Sequence, residues 1–179
     1  NALYLDGDGD YVSLGDGLNL DNHSTVAVWI KPEDLSREYP AILAKYETNK
    51  YGPYDFDLHH DKANIWISTG DGDAKDVDSN KSLLVNKWTH ITWVLDNNEV
   101  RVYINGELDK KADIPNLTQN DDKVTIGRQA HMFSPYEDLQ FKGYIDELKV
   151  FNKSLSESEV YELYSSNTDN DTDNDGLPD

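Results

Sequence analysis

Carboxylates supply most of the reactive side chains in this chain, and an alternating run of them stands near each end. Asp171, Asp173 and Asp175, followed by Gly176, recur at every second position. An oxygen-rich loop wraps alternate carboxylates around one hard cation with this spacing, and the glycine permits the sharp turn. Asp179 extends the run, and the pattern points to calcium; a solvated acidic linker would have the same composition. Near the start, Asp6, Asp8 and Asp10 alternate with Gly7 and Gly9 and offer a second set of hard oxygen donors. Their plain alternative is an Asp-Gly turn with solvated carboxylates.

A different chemistry is written at Trp66, Asp57 and His59, with Asp55 beside them. An aromatic plane next to polar acceptors suits a sugar ring, whose C–H face stacks while its hydroxyls are hydrogen-bonded. Peripheral packing of the tryptophan beneath a loop is the competing explanation, and residues 128–140 could form that cover. Two loops add aromatic and polar groups: Tyr46, Tyr51 and Tyr54 around Asn49, and Arg128, His131, Phe133 and Tyr136 before Glu137 and Asp138. Variable loop chemistry without a role is the alternative for each of these residues.

Composition removes several classes of function. The 179 residues carry 16 basic and 35 acidic side chains, a formal net charge of -19, which disfavours nucleic acid and anionic membrane surfaces and favours calcium. There is no cysteine, so disulfides, thiol nucleophiles and zinc–thiolate sites are excluded. No apolar run approaches the roughly 18 residues of a membrane span. Strand-like sequence begins at Asn1 with no signal peptide, as expected of a monomeric module cut from a larger chain. His23, His59, His60, His90 and His131 show no metal-ligand spacing, and no Ser/His/Asp arrangement stands out.

The elements that must position these groups read as strands. In Lys87 to Leu108, a loop at Asn97 and Asn98 pairs Ile91 with Ile104, Trp93 with Val102 and Leu95 with Val100, all on one face. His90, Thr92, Val94, Arg101, Tyr103 and Asn105 then occupy the other face, and two faces of different character predict one layer of a β-sandwich. Ala2–Asp6 and Asp10–Leu14 read as an opening hairpin. Thr25–Ile30 turns Val26, Val28 and Ile30 inward and Trp29 outward. A hairpin of Tyr54–His60 with Ala63–Thr69, closed through Asp61 and Lys62, sets Leu58 against Ile65, Phe56 against Ile67, Asp57 beside Trp66 and His59 beside Asn64.

Further strands are expected at Ile42–Tyr46, Lys81–Val85, Lys123–Gly127 and Gly143–Phe151, with Asp71–Asn80 as a loop. In the last strand, Tyr144, Leu148 and Val150 share the core side with Asp146, and a buried carboxylate needs a partner. Ser156 and Glu159 form a capping box, with Leu155 and Val160 as a hydrophobic staple, opening one short helix with Val160, Leu163 and Tyr164 on a single face. The composition changes at Ser166, which divides the chain into a domain of residues 1–165 and an acidic segment of residues 166–179.

The stretches LYLDGDGDYVSL, STVAVWIKP, KWTHITWVLDNNEVRVYINGEL, VTIGR and FKGYIDELKVFNKSLSESEVYELY resemble the laminin G-like jelly rolls, concanavalin A-like and pentraxin-related, of secreted multimodular proteins. DTDNDGLPD is similar to the start of a thrombospondin type 3 calcium repeat. The resemblance implies an all-β fold, a two-sheet antiparallel jelly-roll sandwich with one short C-terminal helix. It further implies calcium as cofactor, a polysaccharide or glycan as partner with an extracellular protein as the alternative, and an extracellular or cell-surface location. First and last strands lie close in that family, so a calcium joining Asp6, Asp8 and Asp10 to Asp146 is expected. After VTIG the chain reads Arg128, Gln129, Ala130 and His131 where pentraxins carry an acidic run, a departure from the pattern of their double calcium site. Related folds include glycosidases, and Asp55 with Asp57 imitates a carboxylate pair separated by roughly 5–5.5 Å in retaining enzymes. The E-x-D-x-x-E signature is absent, and a non-catalytic module is expected.

Overall fold

The computed structural model describes residues 2–45, 52–69, 74–129 and 139–168. In chain order these form β1 (Leu3–Asp6), β2 (Val12–Gly15), β3 (Thr25–Pro32), β4 (Glu38–Lys45), β5 (Tyr54–His59) and β6 (Lys62–Ser68). There follow β7 (Ala74–Asp78), β8 (Thr89–Asp96), β9 (Glu99–Ile104), β10 (Glu107–Asp113), β11 (Val124–Ile126), β12 (Lys142–Phe151) and the helix α1 (Glu157–Thr168). They build two antiparallel six-stranded sheets, ordered β1-β12-β3-β8-β9-β10 and β2-β11-β4-β5-β6-β7. This is the expected jelly-roll sandwich with its one short helix. Among the described residues no helix is long and apolar enough to cross a membrane.

Strand alternation makes the core. Val26, Val28 and Ile30 of β3, Ile91, Trp93 and Leu95 of β8, and Val100, Val102 and Ile104 of β9 all point between the sheets. Leu43, Phe56, Leu58, Ile65 and Ile67 answer them from the second sheet, and the rings of Phe56 and Trp93 meet 5.1 Å apart. Burying each large apolar side chain contributes about 1.5–3 kcal/mol. The β8–β9 register is the one read from the sequence, Ile91 to Ile104, Trp93 to Val102 and Leu95 to Val100, with Asn97 taking the left-handed conformation the tight turn requires.

Four expectations are corrected. β1 and β2 do not pair with each other: β1 runs beside β12 and β2 beside β11, so Asp6 to Asp10 crosses from one sheet to the other. Gly7 and Gly9, both at positive φ, allow that crossing, and Arg37 clamps it by donating to the carbonyls of Gly7 and Gln140 at 3.1 Å. The β5–β6 hairpin closes one residue earlier than expected, through His60 and Asp61, which shifts the pairing by two and sets Phe56 opposite Ile65 and Asp57 opposite Asn64. A slip of two preserves every face. β7 lies inside the expected loop, whereas residues 81–85 form no strand.

The fourth correction concerns β12. A bulge between Asp146 and Lys149, with Glu147 at positive φ, breaks the assumed parity. Ile145 therefore joins the core before the bulge, and Leu148 and Val150 pack against it afterwards. Tyr144 and Asp146 point outward. The side chain of Asp146 accepts the Glu147 N–H at 2.8 Å.

Helix α1 begins as read: Ser156 N–H donates to Glu159 Oε2 at 2.8 Å and Glu159 N–H to Ser156 Oγ at 3.3 Å. Leu155 and Val160 pack with Val94 and Tyr103 on the outer face of the first sheet. Tyr164 stacks on Trp29 at 5.7 Å, and His90 lies 5.2 Å from Trp29. Burial drives the His90 imidazole down to about 3, so it is neutral, and Tyr103 lies buried beneath the helix. The helix thus covers part of one sheet, and the polar outer face of the other sheet is where Trp66, Asp57 and His59 fall.

Candidate functional site on the outer face of the second sheet

Alternation along β5 sends Tyr54, Phe56 and Leu58 into the core and Asp55, Asp57 and His59 to the outer face. On β6 the outward residues are Asn64 and Trp66, and on edge strand β7 they are Asp76 and Asp78. Register aligns them into two transverse rows. One runs Ala44, Asp55, Trp66, Asp76; the other runs Ala41, Asp57, Asn64, Asp78. Burial deepens inward along both rows: Asp76 is exposed and Asp78 and Trp66 are half-buried, whereas Asn64 is 0 % and Asp55 and Asp57 are 1 % exposed.

At the outer margin His59 Nδ1 lies 3.1 Å from Asp78 Oδ2, and its ring stacks on Tyr39 at 4.8 Å. Asn64 Nδ2 donates to Asp78 Oδ1 at 2.8 Å. At the inner margin Gln129 donates through Nε2 to Asp55 Oδ2. The backbone around Gln129 is held by Thr125 Oγ1, which donates to the Arg128 carbonyl at 2.6 Å, and by Phe141 N–H, which donates to the Gly127 carbonyl at 2.8 Å. Gly127 is required there: its φ is +89°, and a Cβ would stand 2.4 Å from Leu5.

Electrostatics follow from this packing. Burial pushes both the Asp55 and Asp57 carboxyls well above the usual carboxylate range. For Asp57 the neighbouring Asp55, Asp76 and Asp78 push in the same direction, and for Asp55 the Gln129 hydrogen bond partly offsets the rise. Asp76 is also raised, by burial and then by Asp78. Among the described residues, three buried oxygens, Asp55 Oδ1, Asp57 Oδ1 and Asn64 Oδ1, have no hydrogen-bond partner.

The structure therefore brings together Trp66, Asp57 and His59, with Asp55, as the sequence reading grouped them. It adds Asp76 and Asp78, which lay in a stretch expected to be a loop. Two other expected ligand-binding residues stand elsewhere. Tyr54 is a core residue, 1 % exposed, its hydroxyl donating to the Leu18 carbonyl at 2.8 Å, because β5 alternation turns it inward. Arg128 stacks on Tyr11, its guanidinium carbon 3.5 Å from the ring centroid, beside β2 at the opposite edge of the sheet from β7. Tyr51, His131 and Tyr136 lie outside the described residues, as do Asp171, Asp173, Asp175 and Asp179.

The end-joining calcium does not fit. Asp6 pairs with Lys142 at one end of β1, whereas Asp146 lies past Ile145, the partner of Leu3 at the other end. In the opening loop Asp6 Oδ1 accepts the Asp8 N–H at 2.7 Å, and Asp10 Oδ2 accepts the Asp6 N–H at 3.3 Å. Among the described residues no group of three or more His, Asp or Glu side chains is placed to hold a metal ion.

Comparison with known proteins agrees with this architecture. The model of the concanavalin A-like lectin/glucanases superfamily, laminin G type, matches residues 6–161. Domain 4 of AbnA, a GH43 extracellular arabinanase from Geobacillus stearothermophilus solved in complex with arabinotriose, is 26% identical, with a TM-score of 0.72 over 91% of this chain and 76% of that one. The receptor binding domain of botulinum neurotoxin D is 20% identical with a TM-score of 0.68, over 93% of this chain and 44% of that one. The binding domain of Paraclostridial Mosquitocidal Protein 1 is 16% identical with a TM-score of 0.70, over 92% and 43%. These last two show the fold alone, and the chain spans less than half the length of either. No curated protein matches the sequence.

Proposed function

From the chain's membership of the concanavalin A-like lectin/glucanases superfamily, in its laminin G-type branch, we propose a non-catalytic carbohydrate-binding module of an extracellular or cell-surface protein, acting at the outer face of the second sheet. The observation that carries this reading is the half-buried Trp66 set between Asp55 and Asp76 in one transverse row, with Asp57, Asn64 and Asp78 in the next. Stacking on the indole and acceptance of hydroxyl protons by the flanking oxygens is the chemistry by which proteins hold sugars. The arabinanase domain, solved with arabinotriose, supports a glycan as the partner class. Titration with arabinotriose and a polysaccharide array test it: Trp66→Ala is expected to weaken binding by at least about tenfold, roughly 1.4 kcal/mol. Absence of binding to every polysaccharide, with calcium or with chelator, overturns it.

A second reading, an extracellular protein as partner, draws on the receptor-binding toxin domain of the same fold, and capture of a protein ligand that survives Trp66→Ala would favour it. Calcium belongs to the proposal through Asp171, Asp173, Asp175 and Asp179, supported by their spacing and by their similarity to a thrombospondin type 3 repeat. Calorimetric titration with calcium tests this, and no heat above that of Asp173→Asn with Asp175→Asn removes it.

A further inference from the structure

Among the described residues, the outer face of the second sheet lacks a counter-charge at Asp57. The charged groups acting on Asp57 are Asp55, Asp76 and Asp78, all of one sign. His59, at the margin of the rows, is engaged with Asp78, and Lys62 at the strand end is turned away, donating to the Asn80 carbonyl at 2.7 Å and to Ser82 Oγ at 2.9 Å. A second, independent observation concerns the neutral amide between the carboxylates. Asn64 must point its NH2 at Asp78, since the reverse orientation would set two acceptors against each other, and this forces its buried Oδ1 away without a donor. With Asp55 Oδ1 and Asp57 Oδ1, that makes three buried acceptors without a hydrogen-bond partner among the described residues.

An unmet acceptor in a buried position is costly, and one beside like charges is more so. A sugar hydroxyl supplies one donor and no charge. An ammonium group supplies three donors and the missing positive charge at once. Charge-assisted N–H···O bonds form at about 2.7–2.9 Å, so an ammonium reaches acceptors spread over two strands without the tight convergence a metal ion demands. The gradient from exposed Asp76 through half-buried Asp78 to buried Asp57 leads a cation inward from the sheet edge, past the indole of Trp66. Ala41 and Ala44 stand opposite Asp57 and Asp55 at the inner end of both rows and are themselves fully buried.

We propose that this face selects glycans bearing a free amino group, the sugar ring resting on Trp66 and its ammonium reaching Asp57, Asp55 and Asn64. This rests on the carbohydrate-binding reading and narrows it to amino sugars. The test is calorimetric titration of the 179-residue chain with glucosamine oligomers and with their N-acetylated counterparts, which differ in that charge and those donors. Arabinotriose serves as a neutral probe and oligolysine as a non-sugar amine. The amine oligomer is expected to bind at least about tenfold more tightly than its acetylated form. That preference should vanish in Asp57→Asn and weaken in the edge variant Asp76→Asn, and it should survive in Glu162→Gln, which removes the same charge from the exposed face of α1.

Equal affinity for amine and acetylated oligomers overturns the amino-sugar proposal while leaving carbohydrate binding intact. So does a preference that persists in both Asp57→Asn and Asp76→Asn, or oligolysine binding as tightly as the sugar amine, since the attraction would then be net charge alone. A preference abolished by calcium and restored by chelator assigns the acceptors to a metal and overturns it as well. Failure of every glycan overturns both readings together.

Discussion

Asp57 shows how a side chain placed against its own solvation becomes informative. Its folded carboxyl is raised above the unfolded value, so between those two values the native state holds more protons than the unfolded chain and stability falls as pH rises. The contribution of this group is thus most favourable below the ordinary aspartate value of about 3.9 and is lost on the way to the raised folded value. Asp57→Asn is expected to unfold at a higher temperature than the parent near neutral pH, the gap closing toward pH of about 4; a constant gap across a pH series of melting curves would contradict the burial argument. Trp66, Asp57 and His59 were legible as neighbours because period-two alternation assigns faces even when the register slips by two. Asp76 and Asp78 were not, because AKDVD contains a single inward apolar residue, Val77, which leaves a short edge strand looking like a polar loop.

Among the elements, the β8–β9 hairpin was fully readable: three apolar pairs and an Asn-Asn turn agree on one register, and each level of the pattern supports the others. The opening segment was not, since alternation tells which residues face inward and says nothing about which strand lies alongside. Leu3 and Leu5 therefore look the same beside β2 or beside β12. Bulges are equally silent in sequence, and the one in β12 moved Asp146 from the core side to the outer face. The capping box of α1, by contrast, is a purely local signal and held in full. Ser156→Ala is expected to cost about 1 kcal/mol by loss of the N-cap, measured by denaturant titration. Phe56→Ala, which empties the junction of the two sheets against Trp93, is expected to cost about 3–5 kcal/mol in the same assay. Similar losses for the two variants would mean that the core gives way around the smaller side chain.

For the whole molecule, the net charge of -19 is a term no single contact reveals. Self-repulsion at that charge opposes the compact state, and salt screens it over about 10 Å at 0.1 M. Raising ionic strength is expected to lift the melting temperature by a few degrees with no specific ion required, the same shift appearing in sodium and potassium salts. The same screening should weaken an amine ligand more than arabinotriose. The two sheets also differ in how their outer faces are used: one is partly roofed by α1, and the other carries the acid rows. That roof has an optical consequence. Trp29 forms a three-ring cluster with His90 and the Tyr164 ring at the helix, while Trp93 sits in the central core, so the chain contains one indole whose emission tracks helix docking and another whose emission tracks global unfolding. In Tyr164→Ala the first signal should redden while the second keeps its folded value, which would let detachment of the helix be timed separately from collapse of the sandwich.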